Sequence, residues 1–326
     1  MKRQTKSSFK PRTKQQGVAL FITLLVVTIA TLLATEIWFN NTLDIARQYN
    51  NRAAYQANHY ARGMVLWAID VLRQDFEAEP AFDNHSQAWN QPIAGIELDD
   101  AILSGKLADL DSKFNLNNLV INNHVNEVNL AYFTRILSNL ELDASIADKI
   151  IDWMDSDQIP RPLGAEDVVY LSKSQSYRTA GQYFQHISEL RLIDGVNQQT
   201  YERLKSFVTV LPIIANNPSK VNINTASTLL LLSLDDRITS DEALVLFSDG
   251  SAANKTLADF FRQPAIQIYH LGNEEMQMES QLISTKSHWY QAQVVVKMEQ
   301  SIFQKYALLN RNASNTVVRR WSQTPY

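Results

Sequence analysis

The run "GVALFITLLVVTIATLLATE", Gly17 to Glu36, constrains the fold more than any other stretch of the chain. From Val18 to Thr35 no side chain is charged, and a helix of that length spans roughly 27 Å, close to the thickness of a hydrocarbon core. Lys2, Arg3, Lys6, Lys10, Arg12 and Lys14 precede it, with no acid among residues 1–17. Such a flank holds the N-terminus in the cytoplasm and places the body across the membrane. The run is longer than the apolar core of a secretory signal peptide. "ATLLA", Ala30 to Ala34, is a poor cleavage site, so the segment reads as a retained anchor.

The helix is expected to continue beyond the bilayer. No Gly or Pro occurs between Val18 and Arg62, and Ala46, Tyr49, Ala53, Ala57, Tyr60, Met64, Ala68 and Val71 recur at three- and four-residue steps. This spacing predicts one helix of about 55 residues, apolar all round at first and then amphipathic. A flexible juxtamembrane linker would instead carry Gly, Pro or Ser.

Charge narrows the function of the remainder. The leader contributes six positive charges to a net charge of −4, so the rest of the 326-residue chain carries −10. With no dense Lys/Arg run after residue 17, this balance argues against nucleic acid as a partner. The absence of cysteine excludes disulfides, thiolate zinc sites and cysteine nucleophiles. The six histidines lack metal-ligand spacing such as HExxH, the glycines form no phosphate loop, and G-x-S-x-G is missing, so the chain is not read as an enzyme.

The body reads as α+β. Short alternating runs at Ile93–Leu98 and Ala101–Leu110 predict a hairpin, and the β-branched and aromatic alternation of Gln281–Asn310 predicts strands that pair with it. Between them lie helical patterns in "VNEVNLAYFTRILSNL" and "DASIADKIIDWMDS", the second with Asp143 as its cap, and further helices at Ile187–Leu192, Gln198–Phe207, Thr225–Leu232 and Ser240–Phe247. Strands on both sides of a helical block imply an insertion into one sheet-containing domain. The expected division is a leader at 1–17, a helix at 18–75, a sheet domain from 76–110 and 280–326, a first helical unit with an acidic loop at 111–212, and a second at 213–279.

The most chemical-looking segment, "DWMDSDQIPRPLGAED", holds Asp152, Asp155, Asp157, Glu166 and Asp167. Asp155, Asp157 and Glu166 occupy positions 1, 3 and 12 of an EF-hand count, but Ile159 and Pro160 stand where a ligand and the turn glycine belong. Five acids this close repel one another without a cation, so an irregular loop converging on Ca²⁺ is expected. The bland reading has Asp152 and Asp155 solvated at a helix end and Glu166 or Asp167 paired with Arg161. Paired carboxylates also serve glycosidases, but no further catalytic group assembles around these in the sequence.

A basic leader ending in Gly17, followed by an apolar helix that turns amphipathic, resembles the N-terminus of type IV pilins and type II secretion pseudopilins. "DLDSKFNLNNLV", "DWMDSDQIPRPLGAEDVVYL", "ISELRLIDGV" and "VNINTAS" follow the pattern of the K-type minor pseudopilins in the same order. That resemblance implies a long pilin-like helix packed on a small antiparallel sheet, with a large all-helical domain (SAM- or helix-hairpin-helix-like) inserted. It implies cleavage by a prepilin peptidase between Gly17 and Val18, methylation of Val18, and residence in the inner membrane of a Gram-negative bacterium with a periplasmic body. It further implies I-type and J-type minor pseudopilins as partners at a pseudopilus tip that starts assembly for the export of folded proteins, and calcium in the acidic loop. Pilins usually carry glutamate at the fifth mature position; here Ile22 stands there, as is typical of the K type.

The competing resemblance is to a minor pilin of a type IV pilus or a DNA-uptake machine, since "VNINTAS" also opens the helix-hairpin-helix domains of DNA receptors. Those continue with a glycine-rich hairpin that holds phosphate. Here "LSLDDRITSDEA" has no glycine and four acids, and Gly195 lies beside Asp194.

Overall fold

The computed structural model describes residues 16–98, 100–268, 272–298 and 301–326. Most of the basic leader therefore lies outside the described residues. The chain divides after Asn58 into two units, each described by itself.

Helix α1, Gln16–Ala78, supplies the first unit and opens the second. It is longer than the periodicity predicts because its amphipathic pattern carries on past Val71. Along the apolar stretch Leu20, Leu24 and Leu32 are exposed among the described residues. The hydroxyls within it are satisfied by the helix itself: Thr28 donates to the Leu24 carbonyl, Thr31 to Val27 and Thr35 to Thr31, each at 2.7 Å. An anchor with no exposed hydroxyl donors suits hydrocarbon.

In the second unit α1 buries Ala61, Met64, Val65, Ala68 and Leu72, one stripe at helical spacing. The sheet has five antiparallel strands in chain order: β1 Ile93–Leu98, β2 Ala101–Asp109, β3 Trp289–Met298, β4 Ser301–Asn312 and β5 Asn315–Ser322. Ala101 pairs with Met298 and Asp109 with Tyr290, so the early hairpin and the late strands form one sheet. Leu103, Leu107, Ala292, Val294 and Val296 point to one buried face. Gly105 lets α1 approach, because a Cβ there would lie 3.2 Å from the Met64 methyl and 3.0 Å from the Gln293 carbonyl.

From β2 to β3 the chain is helical, with α2 Glu127–Asn139, α3 Ser145–Met154, α4 Asp167–Leu171, α5 Gln198–Leu204, α6 Thr228–Leu232 and α7 Ser240–Phe247, among shorter turns. One core joins them, centred on Phe114, Tyr132, Phe133, Ile150, Leu190 and Leu230. Three sequence expectations shift. Ala144, not Asp143, precedes α3; Asp143 instead accepts the Ser145 N–H at 2.9 Å. Helix α6 starts at Thr228 because Ser227 caps it and the Thr225 hydroxyl is drawn to Asp109 at 2.5 Å. Gln281 and Leu282 end a helix begun at Asn273, and only Trp289 onward joins the sheet.

Buried carboxylates tie the helical block to the sheet. Asp109 Oδ2 accepts from the hydroxyls of Thr225 and Ser287, at 2.5 and 2.6 Å, and its Oδ1 accepts from the Asp111 N–H at 2.8 Å. Asp111 Oδ2 accepts from the N–H groups of His288 and Trp289, at 2.6 and 3.1 Å. Asp83 accepts from Arg311 Nη2 at 2.5 Å and from the Ser287 N–H at 2.8 Å. Burial raises the Asp109 carboxyl to about 6 and, with the Asp109 charge beside it, lifts Asp111 well above the carboxylate range.

Candidate metal centre

Helix α3 builds one wall of the acidic loop. Its apolar positions Ile146, Ile150, Ile151, Trp153 and Met154 face the core, and Asp152 lies among them, fully buried. The helix ends at Asp155, whose N–H still bonds the Ile151 carbonyl at 2.9 Å while its backbone turns extended. Pro160 and Pro162 bar helix continuation, and the chain returns to Glu166, the residue before α4. Glu166 occupies the capping position of α4 without capping it. Its carboxylate turns into the fold and is 3% exposed.

Ligand atoms of Asp152, Asp155 and Glu166 lie within 4.8 Å of one another. Both Glu166 oxygens and Asp155 Oδ1 are buried and accept no hydrogen bond, whereas Asp152 Oδ2 accepts from the Arg161 N–H at 3.2 Å. Burial, then repulsion from Asp152 and Asp155, pushes Glu166 up to about 7. Burial, then Asp157 and Asp152, pushes Asp155 to about 6, and burial raises Asp152 as well. Three converging carboxylates with three unpartnered oxygens fit a hard divalent cation, which would replace protons as the neutralising charge. Asp152, Asp155 and Glu166 would hold it.

The loop is shaped around this cluster. A Cβ on Gly164 would fall 1.8 Å from Asp152 Oδ2, so glycine is required by close approach. Asn123 Oδ1 accepts the Ser156 N–H at 2.9 Å, and the Gly181 N–H bonds the Trp153 carbonyl at 3.0 Å, fixing the loop from both sides. Gly164 is the one glycine between Asp152 and Asp167 and was a signal present in the sequence; Asn123, far along the chain, gave none.

The other two acids point elsewhere. Asp157 is exposed, and its Oδ1 accepts the Ile159 N–H at 2.8 Å. Asp167 accepts from the Thr179 N–H and hydroxyl, at 2.9 and 3.0 Å, and pairs with Arg178 at 3.4 Å. The ion pair of Arg161 with Glu166 or Asp167 that the bland reading allowed does not form: Arg161 joins Asp148 at 2.7 Å, whose other oxygen accepts the Leu163 N–H. Gly17, Val18 and Ile22 stand on the first turns of α1; Val18 and Ile22 are exposed, and nothing lies within 4 Å of a Cβ on Gly17.

Known proteins share this layout. Residues 112–213, which include the acidic loop, match the family described as type II secretion system (T2SS), protein K. The type II secretion system protein K of Pseudomonas aeruginosa is 35% identical over 235 residues, 68% of this chain and 69% of that protein. The protein of the same name from Aeromonas hydrophila is 28% identical over 94% of this chain and 96% of its own. A chain in the crystal structure of the GspK–GspI–GspJ complex from enterotoxigenic Escherichia coli has the same fold, with a TM-score of 0.74, 20% identity, and coverage of 85% of this chain and 98% of that one.

Proposed function

We propose a role that starts from kinship: this chain belongs to the type II secretion system protein K family, the K-type minor pseudopilins, which are structural components of the secretion system. The similarity to the Pseudomonas aeruginosa protein carries that premise, and the relatives do not favour a type IV pilus or DNA-uptake pilin. On this reading the chain forms the pseudopilus tip with I-type and J-type minor pseudopilins and starts assembly for the export of folded proteins across the outer membrane. The solved relative, a complex of three such subunits, supports those partners.

The N-terminus fits the role. A prepilin peptidase cuts between Gly17 and Val18, leaving the apolar run as an inner-membrane anchor with a periplasmic body; the uncharged helical run from Val18 to Thr35 supports an anchor. In pilins the acid at the fifth mature position satisfies the amine of the neighbouring subunit. A subunit with none above it has no amine to meet, and an unpaired carboxylate in hydrocarbon is costly, which Ile22 avoids. The helical block from 111 to 279 is read as a SAM- or helix-hairpin-helix-like insertion whose bulk obstructs further stacking. Its acidic loop holds Ca²⁺ on Asp152, Asp155 and Glu166, and the ion serves as a staple for a domain without disulfides.

Co-expression with I-type and J-type pseudopilins, followed by purification and intact-mass measurement, tests the role. The expected result is a co-purifying complex in which this chain begins at methylated Val18. An unprocessed N-terminus or a chain that purifies alone overturns it.

A further inference from the structure

Helix α1 does not close on the sheet along its whole length. Met64 meets Gly105, but a cavity of about 590 Å³ remains between the helix and strands β2 and β3. The turn Ala88–Asn90, with Gln87 and Gln91 on either side of it, forms a further wall. The sheet edge at this point is thus lined by the chain itself, and the space left is a pocket bounded by helix, sheet and turn.

Most of the wall is apolar, with Val71 of α1, Leu107 and Val294 of the sheet, and the indoles of Trp67 and Trp89. Trp89 gives its N–H to Gln87 Oε1 at 3.1 Å, so it brings no donor to the cavity. One charged side chain in this lining is more than nine-tenths buried: Asp75, 7% exposed. Its Oδ2 accepts no hydrogen bond and stands 3.6 Å from Arg311 Nη1, while Arg311 Nη2 donates to Asp83 at 2.5 Å. One guanidinium therefore serves two carboxylates, and Asp75 has the longer contact. Burial, then the Asp83 charge, raises Asp75 to about 6, as expected of a carboxyl short of donors.

These features select the ligand. A cavity of this size, apolar with a few polar groups, is the form of a small-molecule site. Among its described lining residues the acids are Asp75 and Glu79 and the one base is Lys106, so a cationic head is favoured over an anionic one. A carboxyl lacking hydrogen bonds takes a head that can donate several, and the indole faces also attract a cationic nitrogen.

We propose that this cavity binds a primary alkylammonium compound, with its aliphatic chain between α1 and the sheet and its ammonium group at Asp75. Bound there, the ligand would give Asp75 the donors that the fold withholds and fill the gap beneath α1.

The test is calorimetric titration of n-octylammonium chloride into the full chain in a neutral detergent at about pH 7.5, against a detergent blank. Saturable binding at one site is expected, with octanoate at least about tenfold weaker. Asp75→Asn should weaken octylammonium about tenfold, the loss of a charged hydrogen-bond partner. Val71→Trp, which fills the cavity from a half-buried position, should abolish binding at a nearly unchanged melting temperature. If Asp75→Asn does not fold, octanoate and Val71→Trp decide. No saturable heat above the blank, equal affinity for octanoate, or unchanged binding in Val71→Trp overturns the inference.

Discussion

Two regions bury carboxylates in numbers, and they solve the problem differently. At the junction between sheet and helical block, Asp83, Asp109 and Asp111 are each held by at least two donors, supplied by Arg311, the hydroxyls of Thr225 and Ser287, and backbone N–H groups. In the acidic loop, Asp155 Oδ1 and both Glu166 oxygens have no donor. The junction carries its own counter-charge, and each of these three carboxylates has at least one oxygen held by donors, although Asp111 Oδ1 accepts no hydrogen bond. Asp155 Oδ1 and Glu166 have the charge without the donors, and the proposed cation would complete them.

The largest expected effect separates the regions by what they depend on. Arg311→Met leaves Asp83 and Asp75 buried without their cation, at a cost of about 3–5 kcal/mol, or a melting temperature lower by about 10 °C. That loss should be equal in calcium and in chelator when the full chain is melted in detergent. A loss that calcium repairs would erase the distinction.

A smaller effect follows from pH. Without a cation the folded state holds protons on Glu166, raised to about 7, and on Asp155, raised to about 6, more tightly than the unfolded chain does. Their contribution to stability is full below the ordinary carboxylate range near pH 4 and is lost as pH rises through about 7. Melting curves in chelator should therefore fall between pH 5 and pH 8, and calcium should flatten that fall by replacing the protons. Asp109 adds a slope in the same direction but adds it equally in both conditions, so the gap between the curves belongs to the loop. A gap that does not widen with pH would contradict this. Smallest of all, Asp157→Asn should change stability by less than about 0.5 kcal/mol with or without calcium, since its carboxylate lies exposed outside the cluster. A large calcium-specific loss in that variant would enlarge the ligand set.

Much of this was legible in the sequence wherever a local period or a residue's chemistry decides structure. The α1 pattern, the Ile93–Leu98 strand and the Ser240–Phe247 helix follow from spacing and from capping residues such as Thr239, which bonds Glu242. Position along the chain also brought out the acids at 152, 155 and 166. It gave no means to separate them from Asp157 and Asp167, because that choice depends on Thr179 and Arg178, which reach Asp167 only through tertiary folding. The start of α6 was misplaced for the same reason: Thr225 bonds Asp109, 116 residues earlier, and no local rule reports that pairing. Strand β5 leaves little trace in the sequence, because "TVVRR" sets two valines beside two arginines without alternation, and its pairing with β4 depends on a tight turn at Ala313, φ +52°.

The central claim is that the acidic loop is completed by calcium. The measurement that reaches it most directly is a calcium titration of the full chain in detergent, followed by its melting temperature, beside Glu166→Gln. At calcium about a hundredfold above its dissociation constant, the wild-type chain should gain about 2.7 kcal/mol, a rise of several degrees, and Glu166→Gln should gain almost none. No rise in the wild-type chain, or an equal rise in Glu166→Gln, would contradict the account.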